Sequence, residues 1–400
     1  MTDRVYWIWF QLVFGIGGRR AELMLNYFAN PQAIYEDLGK PGSRMHLMLT
    51  PEEADRAAKA WESAKRLEER TEKKGIAMIT PDDEDYPAML RDIFARPAVL
   101  YAKGDITCLK DNLCIGMVGA RRATAYGMEA AQMLSQGLAA SGVVIVSGLA
   151  NGIDAASHQA ALQAGGKTVG FMGCGMDMDY PKGSADLKRA MAQNGAVVTE
   201  FPLGFEPRNY HFPIRNRLVS GVSHGIVVVE ASEDSGALIT ASLAAEQGRD
   251  VYAVPGSIFS ATHKGVHNLI KDGAKPVDCA ADILVEYPAL LKLPPMSREE
   301  LQTTLFGAEE MPEVSLADYQ AKTRETKAAP AKIITRKPLP EGISAEAATL
   351  YDLIEAEPVT VEALTARTQQ PVNGVLSALT ELEIFGLIVM HPGRAFSLAG

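Results

Sequence analysis

The sequence predicts a doubly wound, mostly parallel α/β core set between two smaller modules. Three observations carry this. Short apolar runs recur through the middle of the chain, at Leu113–Val118, Val143–Val146, Thr168–Met172, Ala196–Thr199, Ile226–Val229 and Val251–Val254. The runs lack polar alternation, as expected of strands buried on both faces. Helical patterns separate most of them, and strand–helix alternation builds a parallel sheet covered on both sides.

The flanks read differently. Residues 1–80 are helical in pattern: Leu12, Leu23, Leu25 and Phe28 are spaced for a buried face, and Pro51 opens a charged helix running to about Lys74. Residues 81–112, rich in Pro and Asp, form a connection that ends in a short strand at Val99-Leu100-Tyr101. The core spans 113–287. Residues 288–340 carry Pro294, Pro295, Pro312, Pro330, Pro338 and Pro340 amid charges, which reads as a flexible linker. In 341–400, helical stretches near 345–356, 360–367 and 372–385 precede two strand-like segments about a turn at His391-Pro392-Gly393. Three helices and then a hairpin is the order of a winged helix.

Composition narrows the class. The 400 residues carry a net charge of −10, with 47% hydrophobic and 22% charged residues. Sizeable cores can form, and a surface uniformly coated for nucleic acid is disfavoured. Cys108, Cys114, Cys174 and Cys279 are scattered, without Cys-x-x-Cys, so reduced thiols in a cytoplasmic protein are expected and no metal site is. The apolar start, Val5 to Phe14, lacks the basic leader and small-residue cleavage site of a signal peptide. No segment reaches the roughly 20 apolar residues that span a bilayer, so no membrane partner is expected.

Ligands of an open parallel sheet bind beyond the carboxyl ends of its strands. After the first strand, Gly119-Ala120-Arg121-Arg122 combines a tight turn, a helix start with free N–H groups and a forked cation. After the second, Ser147-Gly148-Leu149-Ala150-Asn151-Gly152-Ile153-Asp154 lets a ligand backbone approach closely. After the third, Tyr180-Pro181-Lys182 offers a point charge. The fourth leads to Arg208-Asn209-Tyr210-His211-Phe212-Pro213-Ile214-Arg215-Asn216-Arg217, where cations suit phosphates and aromatic faces suit unpaired bases. Ser235-Gly236-Ala237 opens another helix. Residues 113–285 hold thirteen Lys/Arg against fifteen Asp/Glu, so only a local cleft can be basic. The predicted site is Gly119, Ala120, Arg121, Gly148, Lys182, Arg208, Tyr210, Arg215, Asn216, Arg217 and Gly236.

Enzymatic readings find little support. Gly166-Lys167-Thr168 resembles the end of a phosphate-binding loop, but Ala161 occupies the first glycine position and a strand follows. Glu200 and Glu230 end strands, yet no spacing ties them together. No catalytic residue and no cofactor is expected.

The order of these segments resembles the DNA-processing protein A (DprA/Smf) family. The carriers are Gly119-Ala120-Arg121, Ser147 through Asp154, Gly175-Met176-Asp177 with Tyr180-Pro181-Lys182, and Phe212-Pro213-Ile214-Arg215-Asn216-Arg217-Leu218-Val219-Ser220-Gly221. Then come Val229-Glu230-Ala231, Ser235 through Thr240, Gly248-Arg249-Asp250 and Val254-Pro255-Gly256. Tyr86-Pro87 to Gly104-Asp105 resembles the approach to the family core. The likeness covers about 80–285.

It implies a Rossmann-like core that binds incoming single-stranded DNA in natural transformation, self-associates as a homodimer and helps load the RecA recombinase. Arg121, Lys182, Arg215 and Arg217 then line the DNA path, and Val266, Leu269 and Ile270 lie near the self-association surface. Ala120 departs from the family's usual serine, and Gly183-Ser184 from an asparagine after the lysine. Phe14-Gly15-Ile16-Gly17-Gly18-Arg19-Arg20 resembles the hairpin of a helix-hairpin-helix or SAM-like domain, as either a phosphate contact or a packing turn. The winged-helix-like module has two Arg, no Lys and eight Asp/Glu, so it is expected to meet protein rather than DNA. The alternative is a phosphoribohydrolase-type enzyme acting on nucleotides, but Glu233-Asp234-Ser235-Gly236-Ala237-Leu238 lacks that class's Pro-Gly-Gly-x-Gly-Thr loop.

Overall fold

A computed structural model of the chain describes residues 4–291, 297–306, 336, 338–340, 343–354, 359–368, 370–391 and 395–398. The chain divides into two compact units, Met1–Glu309 and Glu310–Gly400.

In the first unit the apolar runs become the strands of one nine-stranded sheet. In chain order they are β1 (Ala77–Ile79), β2 (Leu100–Gly104), β3 (Cys114–Val118), β4 (Val144–Ser147), β5 (Thr168–Met172), β6 (Gly195–Thr199), β7 (Gly225–Val228), β8 (Asp250–Ala253) and β9 (Lys275–Pro276). Their spatial order is β1-β2-β6-β5-β4-β3-β7-β8-β9. Pairing is parallel from β6 through β9, while β2 joins β6, and β1 joins β2, antiparallel.

Residues alternate between faces along each strand. Cys114 and Val118 therefore face α9 (His211–Gly221), α10 (Gly236–Glu246) and α11 (Lys264–Lys271). Ile115 and Met117 face α6 (Ala125–Ala140) and α7 (Ile153–Gln163). Both faces are covered, which is why the runs show no polar alternation. α8 (Ala185–Gln193) packs near the β6 edge.

The amino-terminal module holds α1 (Arg4–Phe14), α2 (Arg19–Tyr27), α3 (Pro31–Leu38), α4 (Arg44–Met48) and α5 (Pro51–Lys73). Thr50 starts α5 with a reciprocal capping box to Glu53. The expected buried face needs one correction: Leu23 is 38% exposed, and Met24 takes the core position beside Trp9, Phe10 and Ile34. This core also contains Val99, Tyr101 and Leu203, so the module packs directly on the sheet edge. A boundary at 80 separates β1 from its partner β2.

The linker reading is corrected at its start. Pro288–Leu291 and Arg298–Phe306 are helical, and Leu301 is buried in the core beneath α6. The rest of that segment lies largely outside the described residues. In the second unit, helices Ala345–Leu353, Val361–Thr368 and Val372–Ile384 precede strands Ile388–His391 and Ala395–Leu398, and Val359–Thr360 adds a third strand. That is the winged-helix order. Among the described residues, no helix is long and apolar enough to cross a membrane.

Candidate nucleic-acid interface

A cleft of about 660 Å³ opens at the carboxyl edge of β3, β4 and β7. Parallel pairing aligns the strand ends, so the loops after them meet there. Of the predicted residues, Gly119, Ala120, Arg121, Gly148, Arg215, Asn216 and Gly236 line it. Arg122, Asp154, Asn209, Phe212, Ile239 and Thr262 line it too, without having been assigned to the site. Arg122 was legible as the neighbour of Arg121; Thr262 had no signal.

One wall is the 119–122 loop. It rests on Gly152, where a Cβ would come within 2.3 Å of the Ala120 carbonyl oxygen and φ is +81°. Thr124 caps α6 by accepting from the Gly127 N–H. The buried Glu230 carboxylate accepts from the Thr124 N–H at 3.0 Å and from its hydroxyl at 2.9 Å. The opposite wall is the start of α10, capped by Ser235, whose hydroxyl accepts from the Ala237 N–H. The start of α10 thus lines the cleft, the end of a helix that favours anions, while the start of α6 is already met by the Glu230 carboxylate.

The floor is the turn after β4. Asp154 accepts from the Gly148 and Ala150 N–H groups, each at 3.2 Å, and fixes Leu149 at φ +57°. Burial pushes the Asp154 carboxyl above its ordinary range, against the pull of Arg215. Arg215 is itself buried. Its guanidinium donates to the carbonyls of Gly148 and Phe171, and its Nε to the Asn216 side chain at 3.1 Å. Arg215 therefore ties the ends of β4 and β5 together beneath the cleft.

The mouth is cationic and aromatic. Arg121 is exposed, with its guanidinium 5.3 Å above the Phe212 ring. Phe212 stacks on Tyr180 at 5.2 Å and 30°. Tyr180 and Pro181 line a small annex shared with Arg121, and the exposed Lys182 follows directly. Tyr210 is 56% exposed, and Arg208 donates to its hydroxyl at 3.2 Å. Lys182, Arg208 and Tyr210 are thus solvent-facing neighbours of the cleft rather than part of its lining. The rim is not purely basic, since Glu233 and Asp234 are exposed beside Ser235.

Two expectations are corrected. Arg217 is not on the rim: it is buried and paired with Glu200 at 2.6 Å, against Gly17 of the amino-terminal hairpin. That hairpin is a packing turn, as a Cβ on Gly17 would lie 2.6 Å from the Ile214 side chain. Val266 is wholly buried in the core, and Leu269 and Ile270 pack against that core half-buried, so the apolar stripe of α11 faces inward.

Fold and cleft together define a doubly wound α/β protein whose binding cleft lies at the carboxyl edge of its sheet. The family model for DNA recombination-mediator protein A matches residues 77–288, and that for the DprA winged helix domain matches 334–394. DNA processing protein DprA of Bacillus subtilis is 45% identical over 215 residues, 54% of this chain and 72% of that protein. Protein Smf of Synechocystis sp. is 33% identical over 331 residues, 82% of this chain and 81% of that protein. The X-ray structure of DNA processing protein A from Streptococcus pneumoniae superposes with a TM-score of 0.59 at 33% identity, covering 72% of this chain and 98% of that one. The chain belongs to the DNA recombination-mediator protein A (DprA/Smf) family.

Proposed function

We propose that this protein binds single-stranded DNA along the cleft, without cutting it, and serves natural transformation by protecting incoming strands and helping to load RecA. It acts in the cytoplasm as a homodimer. The observation that carries the reading is Arg121 lying on Phe212 at the mouth of a cleft lined by the capped start of α10. Exposed cations hold a phosphate backbone, while Tyr210 offers a face to an unpaired base. Of the two strand-end carboxylates, Glu200 is paired with Arg217 and Glu230 accepts from Thr124 through one oxygen, structural roles that favour binding over hydrolysis. Similarity to DNA processing proteins supports the same partner. In this reading, 113–287 carries the DNA, 1–80 buttresses the sheet edge, and the acidic 341–400 module meets protein.

The test is a titration of labelled single- and double-stranded oligonucleotides at two salt concentrations. Preference for single strands is expected, with log affinity falling by about 0.7 per contacted phosphate for each log unit of salt. Equal or tighter duplex binding overturns the reading. Pull-down of purified RecA tests the loading role. Sedimentation at micromolar concentration tests the dimer, and monomers alone, with and without DNA, overturn that part.

A further inference from the structure

The loop after β8 carries two apolar side chains that the cleft does not use. Phe259 is 92% exposed and Ile258 76% exposed. Single exposed apolar residues are ordinary on a surface, but two adjacent ones on a loop beside the cleft form a small patch suited to a contact. The loop is fastened at several points. The Tyr126 hydroxyl donates to the Pro255 carbonyl at 2.5 Å, and His267 Nε2 to the Gly256 carbonyl at 3.1 Å. A turn from Ser257 to Ser260 closes at 3.0 Å, and the Phe259 N–H donates to the Ser257 hydroxyl at 3.3 Å. Phe259 is thus held out on an anchored turn.

Its position relates it to the cleft. Thr262, three residues on, lines the cleft. Tyr126 belongs to the first turn of α6, whose cap follows the Arg121 loop. In the sheet, β8 lies on the far side of β3 and β4 from β5 and β6, after which Tyr180 and Tyr210 stand. Within the segment the charge has one sign: Lys264 and Lys271 are present, and no Asp or Glu lies between Asp250 and Asp272, while Glu230 and Asp278 approach it from neighbouring elements. In a chain of net charge −10, that is a segment suited to a polyanion. Ser257, Ser260 and Thr262 flank the two apolar residues in sequence, a mixed segment that fits an amphipathic nucleotide better than it fits a broad apolar partner surface.

We infer that Phe259 is a second base-stacking platform, taking an unpaired base of the strand as it leaves the cleft on the β8 side, with Lys264 beside the following phosphate. This rests on the single-strand reading proposed above. A strand is then gripped at both ends of the cleft, by Tyr210 at one and Phe259 at the other, and the bound length is set by their separation. Duplex DNA has no free base face to offer Phe259, so the contact adds to single-strand preference.

The experiment uses the full chain with Phe259→Ala and Phe259→Trp and a fluorescein-labelled oligothymidylate. Anisotropy reports binding, and tryptophan emission of F259W reports stacking. F259A should bind about five-fold more weakly or worse, the lower end for one stacked base, with its salt dependence unchanged and its melting temperature that of the parent. F259W emission should be quenched as anisotropy rises. If the parent binds but F259A binds equally well and F259W is not quenched, the inference fails and the single-strand reading stands. If the parent does not bind, both fall. If F259A without DNA shifts from dimer to monomer in sedimentation, the loop is a protein contact and the inference is overturned.

Discussion

Arg217 donates to the Glu200 carboxylate at 2.6 Å, with only 7% and 3% of the two side chains exposed. The pair lies between α9, the end of β6 and the amino-terminal hairpin, where Gln11 donates to the Glu200 carbonyl at 3.0 Å. It therefore joins the helical module to the sheet. Removing one partner of a buried pair costs about 3–5 kcal/mol, because the other charge stays buried alone. Arg217→Ala should lower the unfolding free energy read from urea titration by that amount. Burial already pushes the Glu200 carboxyl up, and Arg217 opposes this. Without Arg217 the raised carboxyl favours the fold only while protonated, so the variant should lose more stability as pH rises above the ordinary glutamate range. Equal losses at pH 5 and pH 8 would contradict this account.

The two arginines of the cleft should separate in the same assays. Arg121 is exposed with its guanidinium over the Phe212 face, so Arg121→Ala should change stability by under about 1 kcal/mol. It should weaken oligonucleotide binding about ten-fold and flatten the salt slope by about 0.7. Arg215→Ala leaves the Gly148 and Phe171 carbonyls without their donor and Asp154 without its counter-charge. It should lower binding and the melting temperature together. A stable Arg215→Ala protein that binds weakly would mean that Arg215 acts on the ligand directly.

The sheet was legible because burial on both faces leaves continuous apolar runs. β1 and β9 were not, as strands of three and two residues carry no periodicity. Within the site, the error at Arg217 has a geometric cause. Arg215 and Arg217 share α9, where a two-residue step turns the side chain by roughly 200°, so both cannot face one cleft. Taking 208–217 as one run of cations and aromatics, without a helical phase, hid this. The same rule explains α11: Val266, Leu269 and Ile270 stand at i, i+3 and i+4, the spacing of a face that packs on a core. The Arg121–Phe212 contact joins residues far apart in the chain, and only the fold brings them together.

Gly152 offers a test of the loop alone. With φ at +81° and the Ala120 and Arg121 carbonyl oxygens within 2.3 and 2.7 Å of any added Cβ, alanine must push the 119–122 loop outward. Gly152→Ala should cost about 1–3 kcal/mol in unfolding and weaken oligonucleotide binding as much as Arg121→Ala does. In the double variant the two binding losses should not add, since both displace the same guanidinium. Additive losses would place Arg121 and the loop position in separate contributions.

His158 makes stability depend on pH. Its Nδ1 lies 2.6 Å from the Thr168 hydroxyl, which itself donates to the Ile145 carbonyl at 2.8 Å. The hydroxyl proton being committed, Nδ1 must carry the ring proton, and Nε2 is left in the core without a partner. Protonating Nε2 buries an unpaired charge, and burial lowers the His158 pKa to about 3. The unfolded chain takes up this proton near its ordinary pKa of about 6.5, so stability is fully present above that pH and declines as pH falls toward about 3. The slope should be about 1.4 kcal/mol per pH unit for this group, or roughly 2 kcal/mol between pH 6.5 and 5. Urea unfolding of the parent and of His158→Gln across that range reads it directly. The parent should show the steeper decline, and parallel curves would mean that His158 takes up its proton without unfolding.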